Sequence, residues 1–210
     1  VEVTAPLVLS QPLPIILCDT GLPNDGKMEI DLTVREQQIF GGQPPFGAVV
    51  SYYRSQQDAE NDFNKIVDPK KFYNTVNPQT IYVAVDNQYG CKSIITLTIR
   101  VLPVPEPNMN PIPLELCESE LGSGVANFDL TQAEPNLSNF TTYTYSYFFS
   151  EIGAITNDQG TRVNNPTDVL SGTSHVYVRV ENSFTDTNQK CFTVVRLELV
   201  VNPWPVVGPM

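Results

Sequence analysis

The sequence predicts an all-β protein, built as two tandem immunoglobulin-like β-sandwich domains joined by a short proline-rich linker. Three observations lead to this fold class. Short runs rich in Thr, Val, Ile, Tyr and Phe recur along the chain and are broken by Pro, Gly, Asn and Asp. The 18 prolines among 210 residues oppose long helices. The whole pattern also repeats once along the chain.

The repeat fixes the predicted domain organisation. Leu17-Cys18-Asp19 returns as Leu116-Cys117-Glu118, and Tyr82 to Asn87 returns as Tyr177 to Asn182. Each match lies about 100 residues further along the chain, which is the size of one sandwich domain. We therefore predict domains over 1–105 and 106–210. A cluster of prolines at the boundary predicts an extended, semi-rigid connection, and Thr4-Ala5-Pro6 reads as the tail of an equivalent joint.

Strands are clearest near the end of each copy. Ile95, Leu97 and Ile99 alternate with polar residues, as Val195, Leu197 and Leu199 do in the second copy. A period of two with one apolar face predicts a half-buried strand.

One short helix is predicted in the first copy, where Ser55 and Asp58 have capping-box spacing. The equivalent stretch of the second copy contains Gly153 and Gly160, which predicts a looser loop.

The charge of the chain excludes some partners. Twelve basic and 23 acidic residues give a net charge of −11. Such a chain would be repelled by nucleic acid and by anionic lipid surfaces. Apolar runs such as Leu13 to Cys18 are too short to enter a membrane as spanning helices. The start at Val1, without a signal peptide, predicts an interior fragment of a secreted protein, and we expect it to be monomeric.

Four cysteines occupy matching places, two in each copy. The separations are nearly equal, which predicts one disulfide inside each domain, Cys18–Cys91 and Cys117–Cys191. Each bond would close a long loop and stabilise its domain by about 4–5 kcal/mol. The alternatives are four buried free thiols or a metal site, although the chain has no C-x-x-C pair and His175 is its single histidine. Disulfides indicate an extracellular location.

The ordered set of motifs resembles a known family. It comprises Leu17-Cys18-Asp19, Asn24-Asp25-Gly26, Ile30 to Thr33, Ser51-Tyr52-Tyr53, Asn77 to Val83 and Cys91. Together these look like the repeats of the giant surface adhesins of gliding Bacteroidetes. The resemblance implies type IX secretion, display as a long filament on the outer membrane and movement by a gliding motor. It predicts a structural repeat segment used in gliding and surface attachment, whose partners are neighbouring repeats of the same chain.

Calcium (Ca2+) is the metal that the sequence suggests. Asp19, Asn24, Asp25 and Asp31 fall in a Gly-containing stretch and carry the oxygen ligands that calcium prefers. The second copy has Glu118 and Glu120 instead, which predicts a weaker site. The alternative is that Asp and Asn are simply good turn formers.

Aromatic residues give a second candidate site. Tyr143, Tyr145 and Tyr147 would share one strand face and could stack on a surface polysaccharide. The alternative is that they fill the core between the sheets. The competing function is therefore a carbohydrate-binding or accessory module of a secreted multidomain protein. We do not expect an enzyme, because one histidine must serve any Ser-His-Asp scheme.

Overall fold

The computed structural model describes residues 8–21, 23–42, 47–184 and 187–205. The predicted joint at Thr4-Ala5-Pro6 lies outside them. The chain divides into two compact units, Val1–Pro103 and Val104–Met210, called here the first and the second domain.

The first domain has six strands and two short α-helices. The strands are β1 (Ile15–Cys18), β2 (Glu29–Ile30), β3 (Val49–Tyr53), β4 (Phe72–Tyr73), β5 (Gln79–Asp86) and β6 (Lys92–Leu102), and the helices are α1 (Glu36–Ile39) and α2 (Gln56–Asn61). Short 3-10 turns precede α1 (Leu32–Arg35) and β4 (Pro69–Lys71).

Two sheets form a small sandwich in this domain. One has the order β1-β6-β5-β3, and β2 and β4 form the other. Strand β1 runs parallel to β6, whereas the other pairs are antiparallel. The predicted alternation in β6 is confirmed, since Leu97 and Ile99 are fully buried. They share a core with Ile30 and Phe72 of the small sheet.

The second domain repeats this arrangement. Its strands are β7 (Leu114–Cys117), β8 (Ala126–Phe128), β9 (Thr144–Phe148), β10 (Val169–Ser171), β11 (Ser174–Ser183) and β12 (Lys190–Asn202), and its helices are α3 (Glu134–Leu137) and α4 (Glu151–Thr156). A 3-10 turn at Leu130–Ala133 precedes α3. The sheets are β7-β12-β11-β9, with β7 parallel to β12, and β10-β8. The predicted fold class, all-β with two tandem immunoglobulin-like sandwich domains, is confirmed. None of the helices in the described ranges is long and apolar enough to cross a membrane.

The predicted cap of α2 is confirmed, but the loop expected in the second domain is wrong. Ser55 Oγ accepts the backbone N–H of Asp58 at 3.1 Å. Ser150 caps α4 in the same way, accepting from Gly153 N at 3.0 Å. Gly153 does not break this helix. It is needed there because a Cβ at this position would collide with the side chain of Thr161.

A cation satisfies carbonyls in or just before the last turn of the equivalent helices, but from a different strand position in each domain. Lys92 Nζ donates to Ala59 O at 3.1 Å in the first domain. In the second, Arg179 Nη1 donates to Ala154 O and Ile155 O at 2.8 and 2.9 Å. Arg179 is buried, lies over the ring of Phe192 at 3.4 Å and pairs with buried Glu181 at 2.7 Å.

The segment before the first strand of each domain packs against that domain. Ser10 N donates to Ile39 O, and Asn108 N donates to Leu137 O, both at 2.8 Å. In the second domain, Pro105 is buried and its carbonyl accepts a hydrogen bond from Thr193 near the start of β12. The proline-rich segment therefore carries the chain along β12 and enters the sheet at Leu114.

Truncating Arg179 tests the buried ion pair. We expect Arg179→Ala to lower the free energy of unfolding of the second domain by about 3–5 kcal/mol, because Glu181 keeps a buried charge without its main partner. Urea unfolding followed by a probe in each domain measures this loss. The control is Arg196→Ala, whose exposed pair with Glu198 at 3.1 Å should contribute about 0–1 kcal/mol. Equal losses from the two variants would contradict the assignment.

Candidate functional site

The four cysteines are not in equivalent states, although the repeat makes them equivalent in sequence. Cys18 and Cys191 are disulfide-bonded, whereas Cys91 and Cys117 are free and exposed. Each pair predicted from the sequence thus contains one bonded and one free cysteine. The prediction of Cys18–Cys91 and Cys117–Cys191 bonds is wrong.

Strand register explains why a bond inside the first domain cannot form. Cys18 ends β1 and lies opposite Leu102, the last residue of β6. Cys91 immediately precedes β6, which is 11 residues long. At about 3.3 Å per residue the two ends of β6 are roughly 36 Å apart. A disulfide needs Cα atoms within about 7 Å of each other.

The second domain has the same geometry. Cys117 ends β7 and lies opposite Asn202, the last residue of β12. Cys191 is near the other end of β12, where it pairs with Asn182 of β11. We call Cys18 and Cys117 the early cysteines and Cys91 and Cys191 the late cysteines. Each domain therefore carries its early and its late cysteine at opposite ends of the larger sheet.

An asparagine side chain holds the backbone of each late cysteine. Asn87 Oδ1 accepts the N–H of Cys91 at 2.9 Å, and Asn182 Oδ1 accepts the N–H of Cys191 at 3.3 Å. Cys191 is fully buried. The repeated Asn at the end of the preceding strand was visible in the sequence, but only the hydrogen bond shows what it does.

An acidic residue follows each early cysteine and fastens the loop beyond it. Asp19 is buried and accepts backbone N–H groups from Gly21 at 3.0 Å and Gly26 at 2.7 Å. Its own N–H donates to Leu102 O at 2.8 Å. The carboxylate therefore ties the loop back to the end of the sheet that carries Cys18.

Glu118 has the same role beside Cys117. Its two oxygens accept N–H groups from Gly124 at 3.0 Å and Trp204 at 3.1 Å, and the indole of Trp204 donates to its carbonyl. Hydrogen bonds from the backbone of Gly122, Gly124 and Trp204 lower the pKa of Glu118. The negative charge is thus held by N–H donors and not by a cation.

The other residues predicted to bind calcium also act in turns. Asp25 Oδ1 accepts the N–H of Lys27 at 3.0 Å, and Asp31 Oδ1 caps a 3-10 turn through Thr33 N at 2.8 Å. Within the described ranges, no group of three or more His, Cys, Asp or Glu side chains is placed to hold a metal ion. The calcium hypothesis, which rested on Asp19, Asn24, Asp25 and Asp31, therefore finds no such cluster in this part of the chain.

The three tyrosines on β9 and just before it differ in exposure. Tyr147 is buried and donates from its hydroxyl to Glu134 at 2.8 Å, as Tyr52 does to Glu36 in the first domain. Burial and the neighbouring carboxylate raise the pKa of Tyr147. It belongs to the repeated core and is not available to a ligand.

Tyr143 and Tyr145 are only half buried and line an open groove. The groove has a volume of about 490 Å³ and also includes Glu134, Asn139 and Phe140. The rings of Phe140 and Tyr143 lie 5.3 Å apart between centroids. The first domain has Val50 where the second has Tyr145, so the groove's aromatic lining is a feature of the second domain.

Replacing Glu118 tests its role in the loop. We expect Glu118→Gln to lower the melting temperature of the second domain at pH 7, because an amide offers one acceptor oxygen to N–H groups that now meet two. A carboxylate with a lowered folded pKa stabilises above its unfolded pKa, about 4.3, and that contribution is lost as the pH falls through the folded value. The difference should therefore narrow between pH 5 and pH 3. Glu120→Gln, exposed in the same loop, is the control, and a gap that does not depend on pH would contradict the assignment.

Comparisons with solved structures show loose similarity over most of the chain. Human mucin-like protocadherin EC1-2 is 12% identical and covers 94% of this chain and 98% of its own, with a TM-score of 0.28. A SusE-like surface located polysaccharide binding protein of Bacteroides thetaiotaomicron is 10% identical, with a TM-score of 0.33. The match covers 90% of this chain and 33% of the Bacteroides protein, so the chain spans about a third of that relative. These scores are too low to carry an argument about function.

Family comparison is more informative. No curated protein sequence matches the chain. The model of the Flavobacterium inter-domain disulphide bond domain matches residues 14–105 and again residues 113–205. Together the two matches cover most of the 210 residues. The chain therefore belongs to the Flavobacterium inter-domain disulphide bond domain family and contains two tandem copies of that domain.

Proposed function

We propose that the chain is a structural repeat segment of a long filamentous cell-surface adhesin, in which consecutive domains are joined covalently. The bond is formed by the early cysteine of one domain and the late cysteine of the next, here Cys18 and Cys191. The observation that carries this proposal is the placement of bonded Cys18 and bonded Cys191 at opposite ends of equivalent sheets. The family's name describes the same kind of bond.

The path of the chain supports this pairing. The backbone leaves the first domain at Leu102, opposite Cys18. It is held in the second domain at Pro105, whose carbonyl bonds Thr193, two residues from Cys191. Three residues of extended chain span roughly 10 Å at most. Chain connectivity thus limits how far the end bearing Cys18 can lie from the end bearing Cys191.

Such a bond would change how the segment carries tension. A pull on the two ends would pass from Cys18 through the disulfide to Cys191. The roughly 170 residues between them would then carry none of the load and could not extend. A covalent bypass of this kind suits a filament that transmits force, since noncovalent domains unfold far more readily than a disulfide breaks.

The proposed setting is the cell surface. Disulfides persist in oxidising compartments outside the cytosol. The motif resemblance further suggests gliding motility, surface attachment and type IX secretion, with the repeats of the gliding-motility adhesin SprB as the nearest parallel. We also propose that the segment has no catalytic activity. His175, the single histidine, lies with Nδ1 at 3.2 Å from the guanidinium of Arg196, whose positive charge disfavours protonation of a general base.

Pulling single molecules by their two ends tests the mechanical role. In oxidised protein we expect almost no extension from the shielded chain. In Cys18→Ser/Cys191→Ser we expect two unfolding events, each releasing roughly 300 Å for about 90 residues. Cys91→Ser/Cys117→Ser is the matched control and should behave like the oxidised wild type. Two full unfolding events in the oxidised wild type would overturn the proposed load path.

A second candidate function rests on the aromatic groove of the second domain. Phe140 is 63% exposed, and Tyr143 lies beside it with Asn139 and Glu134 at the same groove. Aromatic faces next to polar groups can pack on sugar rings while hydroxyls find hydrogen-bond partners. This would make the second domain a carbohydrate-binding module within the same filament.

Glycan binding by variants tests this candidate. On a glycan array, we expect Tyr143→Ala and Tyr145→Ala to lose at least about tenfold in affinity for any polysaccharide that wild type binds. Tyr89→Ala, which removes an exposed aromatic of the first domain, is the control and should bind normally. Binding that survives all three substitutions, or no binding by folded wild type, would reject the groove as a glycan site.

A further inference from the structure

We propose that the two free cysteines are docking thiols for further copies of the same domain. Cys117 would bond the late cysteine of a following copy, and Cys91 the early cysteine of a preceding copy. This inference rests on the proposed pairing of Cys18 with Cys191. It extends one inter-domain bond into a continuous, interlaced series.

The first support is that each free cysteine has a bonded equivalent. Cys117 ends β7 opposite Asn202, as bonded Cys18 ends β1 opposite Leu102. Cys91 receives the Asn87 side chain on its N–H, as bonded Cys191 receives that of Asn182. The free thiols therefore occupy places that the same fold uses for a disulfide elsewhere in this chain.

The second support is exposure. The bonded late cysteine, Cys191, is fully buried, whereas its free equivalent Cys91 is exposed. Cys117 is exposed as well and lies on β7, which pairs only with β12 in its sheet. Both thiols are therefore open to an incoming partner that carries the complementary cysteine.

The chemical step needs an oxidant, which we take to be a low-molecular-weight disulfide. The thiolate of Cys117 attacks the oxidant, giving a mixed disulfide and one released thiol. The thiolate of Cys91 on the other copy then attacks the Cys117 sulfur of the mixed disulfide and releases the second thiol. One S–S bond forms between the copies, one S–S bond of the oxidant breaks, and the two protons and two electrons end on the two released thiols.

The mechanical consequence is that no joint is left outside a closed loop. Bonds confined to single domains, as in Cys18–Cys91 and Cys117–Cys191, would leave residues 92–116 exposed to tension. A bond from each early cysteine to the next late cysteine produces overlapping loops. The stretch after Cys191 would lie inside the loop that starts at Cys117.

Mixing two single variants tests the inference with the chain itself. Cys91→Ser retains the free Cys117, and Cys117→Ser retains the free Cys91. In a glutathione redox buffer, with one variant carrying a mass label, we expect the mixed dimer to exceed either like dimer on the order of tenfold. Digestion without reduction should yield a peptide pair joining Cys117 to Cys91.

Two outcomes would overturn the inference, and neither resembles a failure of the proposed function. Dimers in the ratio expected for random pairing would show that the thiols have no preferred partner. Little or no mixed dimer would show that the domain ends do not dock. The same digest reports the Cys18–Cys191 peptide independently. If that peptide is present while mixed dimers are absent or random, only the extension to further copies fails.

Discussion

The parallel pairing of the first strand with the last strand is the constraint on which the rest of each domain depends. It brings Cys18 beside Leu102 and Cys117 beside Asn202, at the end where the last strand finishes. The late cysteines sit at the start of those same long strands. An antiparallel first strand of the same length could reverse this order and place the early cysteine elsewhere. Strand direction therefore decides that each domain has one cysteine at each end and none within bonding distance of the other.

The two domains keep this frame while changing the residues that support it. Asp19 and Glu118 both fasten the loop after the early cysteine, although their side chains differ in length and in N–H partners. The helix carbonyls are satisfied by Lys92 in one domain and by Arg179 in the other. In the second domain Phe192 pairs with Glu181 at the register position that Lys92 holds opposite Asp86, and its ring carries the guanidinium of Arg179. The two exchanges compensate each other, so the cation and its task survive.

The sequence was informative where a local pattern determines a local structure. Alternation located the core face of β6, and Ser55 with Asp58 located a helix start. It failed where a long-range register decides. Equal spacing of the cysteines is what a repeat produces whichever partners are chosen, so it could not separate bonds within domains from bonds between them. Period two likewise placed Tyr143, Tyr145 and Tyr147 on one face, but only the packing shows that Tyr147 alone is fully in the core.

Folding order follows from the same geometry. In an unfolded chain the entropy of loop closure favours the cysteines nearest in sequence, which are Cys91 and Cys117. The proposed Cys18–Cys191 bond closes the longest loop that the four cysteines allow, so loop closure alone would form it last. It can compete only once both sheets have formed, because each sheet then holds its two cysteines apart and fixes which end each one occupies. The disulfide pattern is thus a product of two completed domains, which explains why a family defined by inter-domain bonds builds each domain around a core that needs no bond of its own.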